Sequence, residues 1–195
     1  SGTKLLSVTN FPDRVPWGVV SNITNLDFIK QKYGLDYEIM DYRDFFGYMD
    51  QIENNADIQH TANELAKKLQ ANSVKSNMSE DNISKSVLFY LTVATMMEKQ
   101  KCNAFTIECF ELCSSLHPWN RKFTPCLTHA LLKDMGIPSV CEGDINALLS
   151  MMVQMYLSNK AIYMGNPDVD KVNNILKIHH SVASLQMFGI EEKPT

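Results

Sequence analysis

Glu108, Asp144 and His180 are the residues of this sequence whose types and placing could do chemistry together. Two carboxylates and an imidazole supply oxygen and nitrogen donors suited to a divalent cation such as Mn²⁺, Mg²⁺ or Fe²⁺, with positions left open for substrate. They suit a structural zinc less well. Each residue also has an ordinary role: Glu108 can end a strand and pair with Lys or Arg, and His180 can be a core histidine. Asp144 can cap a helix, because Asp at a helix start accepts backbone N–H bonds and complements the positive end of the dipole. Glu142, in "SVCEGDINALLSMMVQMY", stands beside it at the same junction, and capping can account for one of the two carboxylates. His179 competes with His180, since successive strand residues face opposite sides and only one can join a site; the choice falls on His180.

Whether the three meet depends on the elements that carry them. "TKLLSVTN" and "DYEIMDY" read as strands, "NLDFIKQKYG" as a helix closed by Gly34 and "DFFGYMDQI" as a helix, which is βαβα order. "ADIQHTANELAKKLQAN" repeats apolar residues at helical spacing, and the polar "SVKSNMSEDN" reads as a loop ending in caps before "ISKSVLFYLTVATMMEKQK". The second half gives strand "AFTIE", a loop rich in His, Pro, Trp and Arg, helix "TPCLTHALLKDMG" and strand "IPSVC". Helix "DINALLSMMVQMYLS", strand "KAIYMG", a polar turn and strand "NILKIHH" follow. Short apolar strands between helices predict one α/β domain over residues 1–195: three layers, doubly wound, a mainly parallel sheet with helices on both faces. "FTIE", "PSVC", "AIYM" and "LKIH" are then expected as interior strands. In such a sheet ligands bind where the strands' carboxyl ends gather. Glu108 ends "AFTIE", Asp144 lies just past "SVC" and His180 ends "NILKIHH", so parallel neighbours would place all three on one rim. Met151, Met152 and Met155 read as a helix face in the core.

Composition narrows the partners. The 195 residues are 45% hydrophobic and 21% charged, enough apolar content for a real core. A formal charge of -4 without a basic cluster argues against a nucleic-acid or anionic-membrane surface. No apolar run has the length of a membrane span and "SGTKLLSVTN" lacks a signal-peptide layout, so a cytoplasmic protein is expected. Sequons at Asn22, Asn77 and Asn82 carry no weight in that setting. Five cysteines, an odd count, do not make a disulfide framework. Cys109 and Cys113 lack a matching second pair at zinc-finger spacing and read as buried free thiols.

Around these residues the sequence resembles a known family. "FTIECF", "TPCLTHALLKDMGIPSVCEGDINALLSMMVQMYL" and "NILKIHHSVASLQMFG" look like the middle domain of the L-fucose isomerase and L-arabinose isomerase superfamily, and "PWGVVSNITNLDFIKQKYGLDYEIMDYRDFF" is similar to its opening segment. The resemblance implies interconversion of aldoses and ketoses at a divalent metal, usually manganese, through an enediol formed by acid and base carboxylates. Glu108 then matches the first metal-binding catalytic carboxylate and Asp144 the second. His180 matches a metal-ligand histidine of the arabinose branch, whereas the fucose branch takes its histidine from a later domain. "His-His-Ser" departs from the His-Cys run of many relatives. Family enzymes carry a domain before and after this one, which makes the chain a fragment with an incomplete pocket, inactive alone, from a homo-oligomeric parent. Ser1-Gly2 reads as an expression remnant.

Two functions of different class follow. One is the metal-bearing domain of a sugar isomerase acting on a monosaccharide; the alternative is a non-catalytic sugar-binding or assembly domain with the same fold. A flavodoxin-like regulatory domain would need a phosphate-cradling Gly-rich loop, and the eight glycines form none.

Overall fold

The computed structural model describes residues 2–10, 25–113 and 119–187. Residues 16–24, with the sequon at Asn22 and the start of the similar opening segment, lie outside them. Strand β1 (Lys4–Thr9) is followed by helix α1 (Leu26–Tyr33) and strand β2 (Asp36–Asp41). Asn25 caps α1 at its start, and Gly34 at φ 69° closes it in the left-handed conformation that glycine adopts without a Cβ clash. Helices α2 (Tyr42–Glu53), α3 (Ala56–Ala71) and α4 (Glu80–Gln100) come next. Ser79 accepts from Asn82 N–H, so the capping residues of the polar loop start α4 three residues before the apolar run at Ile83.

Strand β3 (Ala104–Ile107) is buried at every position, as a strand covered on both faces must be. Helix α5 (Phe110–Cys113) is a single turn; α6 (Cys126–Asp134), β4 (Ser139–Val140) and α7 (Ile145–Ser158) complete the main body. The four strands pair parallel in the order β2-β1-β3-β4. The chain steps outward from β1 to β2, then back across it to β3 and β4. Right-handed crossovers in opposite directions put helices on opposite faces of the sheet. Helix α4 packs against α2, α3 and α6. Between them the layers bury an aromatic group of Tyr42, Phe45, Phe46 and Phe89. Met151, Met152 and Met155 of α7 are buried as expected.

Three of the expected interior strands depart from the pattern. "PSVC" forms only the two residues of β4, at the sheet's edge. "AIYM" is irregular chain that still buries Ala161 and Met164. "LKIH" is strand β6 (Ile175–His179), outside the main sheet: it pairs antiparallel with β5 (Asn166–Asp170) in an exposed hairpin. The cause is local. Asp170 accepts from the N–H groups of Val172 and Asn173, and Asn174 takes φ 53°, so the polar turn folds "NPDVD" back onto "ILKIH". Gly165 seats the hairpin, since a Cβ there would lie 2.3 Å from Ile178 Cγ2.

Candidate functional site

The order in which the chain lays down its parallel strands reverses between β1 and β3, the kind of point at whose carboxyl edge open parallel sheets bind ligands. Elements from all four strands reach this edge. Thr9 ends β1, and its Oγ1 donates to Glu108 Oε2 at 2.7 Å. Tyr42, which follows β2, donates its hydroxyl to the Glu108 carbonyl oxygen, and its ring meets Phe46 and Trp119 edge-on at 5.5 Å. Burial, then the Glu108 carboxyl, push the Tyr42 phenol far above its ordinary range, so it stays a neutral donor. Glu108 itself is 1% exposed, its N–H continuing the ladder to Val8 O at 3.0 Å. A carboxyl so buried survives only with such partners.

The Cys-Glu-Gly-Asp turn after β4 is fastened to the same strand end, because Gly143 N–H donates to Ile107 O at 3.0 Å. Glu142 and Gly143 adopt left-handed φ of 67° in succession, which turns the chain into α7. Asp144 is the N-cap of that helix, Oδ1 accepting from Ala147 N–H at 2.9 Å. Glu142 turns to the hairpin: Oε1 accepts from Asn166 Nδ2 at 2.9 Å and faces His180 Nε2 at 3.3 Å. Ser181 N–H donates to His180 Nδ1, which leaves the ring proton of the neutral imidazole on Nε2, directed at Glu142. The His180 and Glu142 side chains are 8% and 16% exposed, and with Asn166, His179 and Ser181 they line an open depression of about 450 Å³.

The three residues singled out from the sequence therefore reach this end of the molecule in different states. Glu108 is held by Thr9, Asp144 caps α7, and His180 pairs with Glu142, which sequence reasoning left in a supporting role. Rim placement of His180 comes from the hairpin rather than from a fifth parallel strand. The donor types suit a hard divalent cation. Their grouping does not yet do so: among the described residues no three His, Cys, Asp or Glu side chains are set to hold a metal ion.

Two groupings in this region were not legible in the sequence. His129 is fully buried, its Nδ1 2.7 Å from Ser139 Oγ and its ring stacked on Phe105, and burial followed by Lys133 lowers it to about 3. The thiols form a second group: Cys109 and Cys141 are buried with Sγ atoms 3.0 Å apart, and Cys113 is exposed rather than buried. All five cysteines are free. No protein-family model and no curated protein matches this chain. No helix among the described residues is long and apolar enough to cross a membrane.

Proposed function

We propose that the chain is the metal-bearing domain of a cytoplasmic, homo-oligomeric aldose-ketose isomerase of the L-fucose and L-arabinose isomerase kind, working through an enediol on a monosaccharide. The observation that carries this reading is the hydrogen bond from Gly143 to the end of β3, which brings Glu108 and the Glu142–Asp144 turn to one edge at the sheet's switch point. Proton transfer between adjacent sugar carbons needs carboxylates at such an edge. Glu108 is the acid-base candidate, and Asp144 and His180 are the further donors. Manganese, or another divalent metal, belongs to the reading on condition that it displaces the contact between His180 and Glu142.

That condition sets the test. Mn²⁺ added to the chain should broaden the His180 ring resonances selectively, and Asp144→Asn should remove the effect while leaving α7 capped. Uniform or absent broadening rejects the metal site. In the isomerase itself Glu108→Gln should keep the fold and lower turnover by roughly two to four powers of ten.

The absence of a preformed three-donor group among the described residues favours a second reading, a non-catalytic sugar-binding or assembly domain. It is distinguished by sugar binding that Mn²⁺ leaves unaltered.

A further inference from the structure

Helix α7 differs from the other helices among the described residues in carrying no charge: "INALLSMMVQMYLS" has none in its 14 residues, whereas α1 to α6 each carry charged side chains. Its methionine face is buried. On the opposite face Val153, Tyr156 and Leu157 stand side by side at i, i+3 and i+4, each more than half exposed. The hairpin presents a second surface of this kind. Its register sets Pro167 opposite Ile178 and Val169 opposite Leu176, so these four share one face, while Asp168, Asp170 and Lys177 belong to the other. Val169, Leu176 and Ile178 are again more than half exposed. Both surfaces belong to the β4 side of the sheet, against which α7 packs, but to opposite ends of the strands. Tyr156 Oη is 3.2 Å from Thr3 Oγ1, just before β1, which sets the C-terminal half of α7 at the amino ends. The hairpin is rooted at the carboxyl edge, where Asn166 and His180 meet Glu142.

We propose that two copies of this chain associate about a two-fold axis, each laying the apolar face of its hairpin on the Val153, Tyr156 and Leu157 stripe of the other. A two-fold that reverses strand direction brings the carboxyl end of one copy to the amino end of its partner, so the hairpin-on-helix contact forms twice. Area decides for a second copy. The six side chains expose roughly 700 Å² per chain, and the exposed Pro167, Ser150 and Gln154 beside them bring this to about 800 Å², the share each partner gives to a standard interface. Either surface alone, at about half that area, is no larger than the biggest apolar patch of an ordinary monomer. The lack of charge points the same way. Neither surface offers an ion pair to a charged partner, and the core of a homodimer interface is depleted of charge. The inference concerns self-association alone, the homo-oligomeric part of the proposed function, so its failure leaves the metal and sugar tests of that reading standing.

The test is sedimentation equilibrium of the full chain over a range of concentrations. A reversible dimer of the 22.1 kDa chain is expected, and hairpin amides that open freely in the dilute monomer should exchange more slowly as concentration rises. Leu157→Lys and Leu176→Glu, both at exposed positions, should each raise the dissociation constant at least about a hundredfold, because the two-fold buries the unpaired charge at both contacts. Mixing the two variants is the decisive measurement. In the mixed pair one contact keeps both leucines and the other sets the new lysine against the new glutamate, so a heterodimer should form where neither variant dimerises alone. No recovery on mixing would mean helix-on-helix or hairpin-on-hairpin pairing and would overturn the proposal. So would a chain that stays monomeric up to about 100 μM, which leaves the two surfaces to another segment or another protein.

Discussion

Asp144 has two roles that ask for different properties of one side chain. Capping needs an acceptor oxygen near Ala147 N–H, which Asn supplies as well as Asp, whereas a cation needs the negative charge. Asp144→Asn should therefore melt within a degree or two of the unaltered protein, while Asp144→Ala should lose about 1 kcal/mol by chemical denaturation. An equal loss in both would show that the charge, acting on the helix dipole, matters more than the cap. His129 gives a pH prediction. Its folded value of about 3 lies below the ordinary 6.5, so between these the unfolded chain holds the extra proton and stability falls as pH falls. Over that window its share approaches ~1.4 kcal/mol per pH unit, and denaturant titrations of His129→Leu should show a correspondingly shallower acid dependence.

At the scale of elements, α6 anchors the chain that follows His180. Buried Lys133 donates to Val182 O at 2.5 Å, and Asp134 accepts from the N–H groups of Leu185 and Gln186. Lys133→Met keeps most of the buried stem but leaves the Val182 carbonyl without its donor, which should cost about 1–3 kcal/mol. Burial also lowers Lys133 to about 8 from 10.5. Between those values the unfolded chain binds more protons than the folded one, so stability should rise with pH there and do so less in the Met variant. The same measurement in which both proteins respond alike above pH 8 would move that dependence to other groups. Loosening this anchor should also disturb His180 and its contact with Glu142, visible as a shift of the His180 ring signals.

For the whole molecule, stability should concentrate in the parallel sheet and fade toward the hairpin. Strands β1 and β3 are interior and almost wholly buried, whereas β5 and β6 expose nearly every residue, including Ile175, Leu176 and Ile178. A lone two-stranded hairpin is marginal in water. Native-state hydrogen exchange should find the slowest amides in β1 and β3, and the β5–β6 amides exchanging orders of magnitude faster through local opening. Hairpin amides as slow as those of β3 would mean that β5 and β6 unfold only with the core.

Alternation of strand and helix, the cap at Asp144, the stop at Gly34 and the buried methionine face of α7 were all legible from residue order, because each depends on neighbours within a turn or two. The sheet edge carrying Glu108 was legible as well, since a short, mostly apolar run ending in a carboxylate marks a buried strand's end. Pairing was not. "NILKIHH" carries strand-forming Ile175, Leu176 and Ile178, and only the Asp170 turn and the antiparallel pairing with β5 show that it leaves the sheet for a hairpin. Which side chains meet across the edge was equally hidden: Glu142 with His180, Thr9 with Glu108, Cys109 with Cys141. Local pattern sets the period and burial of an element; its neighbours are chosen by contacts between residues far apart in the chain, and those exist only once the layers have packed.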